Sequence, residues 1–327
     1  MAVWAITGGS GFVGVHLARR LFREGHAVRS LDLEPLELPG AESAIGDVRD
    51  PAAARRLCQG ADVVVHAAAG LPIRGSRRTI RSVNIQGTAT ILAAAAESGV
   101  RRVVFISSAV VLPRPIEAYG KAKAEAETLC REFADRDLDV TILRPQAVVG
   151  RERLGVFGIL FRWVSEGRRI YTFGSGSNHY QLLEVGDLVE AIMLAAGRHG
   201  NGEAFALGAK EFGTVAEDLG ALIEHARSSS DLTPVPARLA RPVLRGLDLA
   251  GLSPLDEWHY RTADRDCFVD IASAERALGW SPRFSNREAL IRGYDWYLES
   301  RAAVRRAGPT HRTRWNEKAL AVLRRLS

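Results

Sequence analysis

The stretch EAYGKAKAEAE (117–127) places Tyr119 ahead of two lysines, Lys121 and Lys123. In a helix, Tyr119 and Lys123 fall one turn apart on the same face, while Lys121 points elsewhere. A phenol beside an ammonium ionises more readily, because the positive charge favours the phenolate. Eleven residues before the tyrosine stands Ser108, in SSA (107–109). An isolated Y-x-x-x-K is common by chance, and an exposed basic helix start is its plainer reading. The surrounding chain has to decide between them.

A second chemical element opens the chain. AITGGSGFVGVHLARRL (5–21) carries Gly8, Gly11 and Gly14, with Phe12 and Val13 between the last two. Small residues at this spacing let the backbone turn tightly and approach a pyrophosphate at a helix N-terminus. The required context is present: an apolar strand precedes the loop and a helical pattern follows it. Asp32 ends the next strand 18 residues beyond Gly14. A carboxylate there accepts from a ribose diol and repels a 2′-phosphate, and Leu33 after it supplies no cation, so NAD is expected over NADP. GDVRD (46–50) offers Asp47 to an adenine amino group and Val48 to the ring face. HAAAG (66–70) ends a further strand with Ala67, Ala68 and Ala69, whose small side chains let a dinucleotide lie against backbone. His66 itself reads as structural.

Apolar strand patterns at 3–7, 27–32, 62–68, 102–108 and 139–145 must position these residues, alternating with helical stretches at 12–24, 51–59, 79–98 and 119–135. Buried strands alternating with helices predict a parallel, doubly wound α/β sheet. Beyond residue 150 the pattern loosens, with FGSGSN and TPVPARLARP as loops, until EVGDLVEAIMLAA (184–196) predicts an amphipathic helix returning to the sheet.

The chain has 327 residues, 46% hydrophobic and 25% charged, as in an ordinary globular protein. Three scattered cysteines argue against a disulfide framework or zinc site and suit a reducing cytosol. No apolar run is long enough to span a bilayer, and MAVWAITGG reads as a first strand rather than a leader. The net charge of +6 is a property of one end: from Arg301 onward eight Lys/Arg face one Glu, so the first 300 residues sum to −1. No nucleic-acid surface is implied for the body.

Taken in order, TGGSGFVG (7–14), Asp32, GDV (46–48), HAAA (66–69), VNIQGT (83–88), ISSAVV (106–111), YGKAK (119–123) and LRPQAVVG (143–150) resemble the NAD-dependent epimerase/dehydratase branch of the extended short-chain dehydrogenase/reductase superfamily. ALGWSPRFSNREAL (277–290) resembles the family's C-terminal end. The resemblance implies a Rossmann-type domain over 1–150, with 182–208 packing back on it, and a smaller substrate domain from 151–181 and 209–300. By position it implies Ser108 as the residue holding the reacting oxygen, Tyr119 as the base and Lys123 as its tuner and ribose ligand. Asn84 orders water or backbone near the lysine, and Pro145 begins the segment beside the nicotinamide. Lys123 and the positive ring are expected to lower the phenol's pKa. A homodimer through helices 79–98 and 119–135, in the cytoplasm, is implied on the same footing.

Three departures narrow the activity. Dehydratases carry Asp-Glu after the serine and sugar-acid decarboxylases a glutamate, whereas this chain has Ala109 and Val110. Eliminating water needs an extra acid and base that neither can supply. The segment from Ser108 to Tyr119 is short, and VVL (110–112) replaces an aromatic-bearing VYG. Tyr180-Gln181 stands where nucleotide-sugar enzymes place Arg-Asp, leaving His179 or Arg261 as stand-in diphosphate ligands, though surface roles fit each better. An epimerase acting on a sugar nucleotide is the leading expectation. An oxidoreductase of a non-nucleotide alcohol or ketone comes second, and an idle NAD-binding scaffold third. The tail RWNEKALAVLRRL aligns Trp315, Ala319, Val322, Leu323 and Leu326 on one side of a basic amphipathic helix, suited to docking on protein and less so to a membrane surface.

Overall fold

The computed structural model describes residues 1–71, 76–112, 118–250, 262–301 and 312. They form two compact units. The first gathers Met1–Gln146, Val185–Leu207 and Asp270–Ser281; the second holds Ala147–Glu184, Gly208–Val269 and the described residues from Pro282.

The first unit runs β1 (Val3–Thr7), α1 (Phe12–Arg23), β2 (Ala27–Asp32), β3 (Glu42–Ile45), α2 (Pro51–Cys58), β4 (Val63–His66), α3 (Arg77–Arg81), α4 (Thr88–Glu97), β5 (Arg102–Ile106), α5 (Ala118–Ala134) and β6 (Val140–Pro145). Between α3 and α4 the helix widens to a π-helical turn over Ser82–Gly87. After β7 (Ala147–Val149), α6 (Val156–Ser165), β8 (Ile170–Phe173) and β9 (Leu182–Glu184), the chain rejoins this unit as α7 (Val185–Ala196) and β10 (Ala204–Leu207). The seven strands are parallel in the order β10-β6-β5-β4-β1-β2-β3. VVVH of β4 is buried along its whole length, as expected of a strand covered on both faces.

Leu57 from α2, Ile91 and Leu92 from α4, and Ala126 and Cys130 from α5 form one core with Val64, Phe105 and Ile142 of the sheet. Helices α1 and α7 pack together against the sheet, on the opposite face by strand alternation. Asp270–Ser281, grouped by sequence with the second domain, lies with the first unit: buried Trp280 donates its indole N–H to the Asp187 carbonyl at 2.9 Å.

In the second unit β8 pairs with β11 (Leu232–Val235) and β7 with β9. Phe161 and Trp163 of α6, Leu222 of α8 (Val215–His225), and Tyr294 and Tyr297 of the helix Asn286–Ser300 make its core. Capping boxes, Thr214 with Glu217 and Ser285 with Glu288, start the last two of these helices.

Candidate active site

Thr7, Asp32, His66, Ile106 and Pro145 end β1, β2, β4, β5 and β6. Strand order reverses between β1 and β4. Open parallel sheets bind ligands at the carboxyl ends beside such a reversal.

The glycine loop spans that point. Gly8 has φ +72°, and a Cβ there would lie 2.8 Å from the Ala68 nitrogen, so the loop touches the backbone after β4. At Gly14 a Cβ would fall 2.2 Å from the Gly8 carbonyl oxygen, which only glycine permits. Gly11 caps α1 without a side-chain hydrogen bond, so the first turn presents backbone donors, as a phosphate cradle requires. Phe12 is buried with its ring edge-on to His16, leaving only its backbone for a cofactor, and Val13 is half-buried beside it.

Asp32 accepts from the Ser10 N–H at 3.0 Å and the Leu33 N–H at 2.7 Å. Burial raises its carboxyl above the usual range, and these backbone donors oppose the rise. Leu33 is 68% exposed and offers nothing to a 2′-phosphate. Asp47 is forked by Arg49, Nε at 2.9 Å and Nη2 at 2.6 Å, which holds its carboxyl low, so an adenine would meet an ion pair rather than a lone carboxylate. Val48 packs in the core against Gly87. Ala67, Ala68 and Ala69 are half-buried, consistent with a small-residue floor.

His66 occupies a buried relay. Thr88 Oγ1 donates to the Asn84 carbonyl at 2.7 Å, so it receives the proton of His66 Nε2 at 3.0 Å. His66 Nδ1 then accepts from Thr7 Oγ1 at 2.6 Å, and Thr7 accepts from the Ala68 N–H at 3.2 Å. Desolvation, with the nearby Lys123 charge, depresses the imidazole to about 3, so it stays neutral. The Asn84 side chain accepts from the Gly70 N–H at 2.8 Å and donates to the Gly70 carbonyl at 3.0 Å. Asn84 therefore fixes the loop after β4, and the π-helical turn aims it there. Among the described residues, the Asn84 side chain bonds Gly70 rather than Lys123.

On α5, Lys123 is 2% exposed while Lys121 is exposed, as the helical spacing requires. Lys123 donates to the Ile106 carbonyl at 2.7 Å and stands 4.7 Å over the Phe105 ring. Burial lowers it to about 8, and Cys130 and Glu127 oppose that fall. Tyr119 lies half-buried one turn earlier. Its phenol is pushed up to about 12 by burial, opposite to the expected depression. The reason is the direction of the lysine: its ammonium is held on the end of β5, and desolvation dominates at the tyrosine. Ser108 caps the short turn Ala109–Val111, accepting from the Val110 N–H at 3.4 Å. Ala109 and Val110 add no acid or base. Pro145 closes β6, paired with Leu207 of β10.

Glu127, one turn beyond Lys123 on α5, is a site residue absent from the sequence-based set. Only 2% exposed, it accepts from Ser107 Oγ at 2.7 Å, from Arg144 Nε at 2.8 Å and from Arg131 at 3.1 Å. These pairs hold its carboxyl below the usual range against burial. Ser107 precedes Ser108 and Arg144 precedes Pro145, so one carboxylate ties the neighbours of both site residues. The sequence signal was the i, i+4, i+8 series Tyr119, Lys123, Glu127 on one face.

In the second unit Gln181 is 1% exposed and fully engaged: Nε2 donates to the Ala209 carbonyl at 2.7 Å and Oε1 accepts from the Val269 N–H at 2.9 Å. His179 donates its backbone N–H to Asp266 at 2.8 Å, with its ring 3.6 Å from the same carboxylate. Arg261 and the tail helix 315–326 lie outside the described residues.

The model of the NAD dependent epimerase/dehydratase family matches residues 4–208. The chain is similar to the uncharacterized protein y4nG of Sinorhizobium fredii, at 35% identity over 97% of this chain and 84% of that one. A 4-hydroxy-2-methyl-3-oxo-4-farnesyl-3,4-dihydroquinoline-1-oxide ketoreductase of Stigmatella aurantiaca shares 25% identity over 93% and 96% of the two chains. An N-acetyl-α-D-glucosaminyl-diphospho-ditrans,octacis-undecaprenol 4-epimerase of Escherichia coli O157:H7 shares 32% over 57% and 61%. The solved structure of MoeE5 with UDP-glucuronic acid and NAD superposes with a TM-score of 0.75 at 25% identity, over 92% of this chain and 100% of that one. With its parallel sheet, glycine cradle and Ser-Tyr-Lys set, this chain belongs to the NAD-dependent epimerase/dehydratase family of extended short-chain dehydrogenases/reductases.

Proposed function

We propose that this protein is a 4-epimerase-type enzyme of a nucleotide sugar. The observation carrying the reading is the pairing of Tyr119 and Lys123 on one face of α5, beside a Ser108 followed only by Ala109 and Val110. Such a set handles one hydroxyl proton and offers no second acid-base pair for eliminating water. Gly8, Gly11, Gly14 and the first turn of α1 hold the cofactor's pyrophosphate, and Asp32 its adenosine ribose. NAD supplies the hydride acceptor and donor. Ser108 holds the reacting oxygen, Tyr119 Oη takes its proton and later returns it, and Lys123 contacts ribose. For this Lys123 must swing from the Ile106 carbonyl, which brings its charge to Tyr119 and lowers a phenol that otherwise rests near 12. The 4-epimerase relative named for a diphosphate-linked sugar and the structural neighbour solved with UDP-glucuronic acid support the substrate class.

A second reading, reduction or oxidation of a non-nucleotide ketone or alcohol, is favoured by one observation. Gln181, standing where the diphosphate-binding Asp is expected, is locked between Ala209 and Val269. The ketoreductase relative, similar over nearly its whole length, fits this reading.

Denaturing the purified protein and quantifying released NAD(H) separates the two. An epimerase restores its cofactor each turnover and keeps it, so near-stoichiometric release with activity on a sugar-nucleotide panel is expected. Empty protein that oxidises or reduces alcohols or ketones, followed by absorbance, overturns the epimerase reading. Tyr119→Phe should abolish activity in either case; a variant that behaves like wild type in every assay, with neither protein turning over substrate, would leave only a scaffold. The same kinship leads us to infer a homodimer through α4 and α5, and a monomer mass by light scattering would overturn it.

A further inference from the structure

Helix α9 of the second unit (Ala237–Leu249) has no place in the chemistry above, yet it exposes an ordered apolar stripe. Leu239 is 61% exposed and Val243 62%, and with the exposed Pro242 and Gly246 they follow the i, i+3, i+4, i+7 spacing of one helix face. Leu244 points the other way and is buried, so the helix has an inner face and the stripe is its outer one. Exposed Arg238 and Arg245 flank the stripe on one side. Arg241, lower on that flank, is ion-paired with Asp264. The helix's exposed described side chains are thus apolar or cationic, with no carboxylate among them.

We propose that α9 lies on an anionic lipid bilayer, with Leu239 and Val243 entering the headgroup region and Arg238 and Arg245 meeting lipid phosphates. Charge selects this occupant. A basic-edged apolar stripe matches a surface that is negative outside and apolar beneath. A second copy would bring two pairs of arginines to one seam, where like charges oppose association. No helix among the described residues is long and apolar enough to cross a membrane, so the contact is peripheral. Two aliphatic side chains bind lipid weakly alone. The seven net positive charges from Arg301 onward supply the second signal that surface attachment requires.

The test is co-sedimentation of the full chain with vesicles of phosphatidylcholine, alone or mixed with phosphatidylglycerol, at low and high salt. Binding is expected only to the mixed vesicles, weakening with salt. Leu239→Glu/Val243→Glu should reduce it at least about tenfold with an unchanged melting temperature. A chain ending at Arg301 should bind more weakly than wild type and still lose its residual binding on the double substitution. Equal or absent binding to the two vesicle types overturns the proposal. So does a double variant that pellets like wild type, which would make the tail the sole anchor. A solution mass that halves in the double variant identifies a subunit interface instead and equally overturns it.

Discussion

Lys123 enters the folded protein at a cost. Its ordinary value of 10.5 falls to about 8 through burial. Between those values the folded state binds fewer protons than the unfolded chain, so stability rises with pH from about 8 to 10.5 and is lowest, and flat, below 8. The shift corresponds to a penalty on the order of 3 kcal/mol, partly offset by the bond to the Ile106 carbonyl. Lys123→Met is therefore expected to stabilise the cofactor-free protein by about 1–2 kcal/mol at pH 7, to flatten the alkaline rise, and to abolish activity. Urea unfolding at several pH values, with assays of the same samples, checks all three. Glu127→Gln should do the reverse. It keeps an acceptor for Ser107 but leaves Arg144 uncompensated, costing about 3 kcal/mol in urea unfolding. It also removes a charge that raises the Lys123 pKa, so the alkaline limb of the pH–rate profile should move to lower pH.

Among the elements, what the sequence made legible and what it hid divide along physical lines. The buried strands announced themselves because a strand covered on both faces must be apolar throughout: 3–7 and 27–32 match the structure residue for residue. The strand read at 62–68 ends at His66, because the following alanines leave the sheet to form the floor beside Gly8. The glycine cradle was readable from residue type and order. Of the Glu127 cluster only the shared helix face was readable, since a carboxylate in a helix normally signals solvent and only packing reveals its burial. The π-helical turn over Ser82–Gly87 was equally hidden, having no compositional signature. Its product is the paired bond from Asn84 to Gly70. Asn84→Ala should cost about 1–3 kcal/mol and raise the Kd for NAD more than it lowers kcat, as read by cofactor titration and steady-state kinetics.

At the scale of the molecule, chain order and spatial order disagree. The sheet edge at β6 is closed by β10, and the first unit is completed by Asp270–Ser281, both lying far beyond residue 146 in sequence. A fragment of residues 1–150 would bare the backbone hydrogen-bonding groups of β6 and the face that α7 covers, and is expected to aggregate on refolding rather than bind NAD; light scattering of the refolded fragment checks this. The same interleaving reaches the ribosome. A nascent chain cannot finish its first unit until position 281 has cleared the exit tunnel, by which point most of the second unit has also emerged. Parallel strands joined across such distances close slowly, so the growing polypeptide must keep a half-built sheet from meeting other nascent chains.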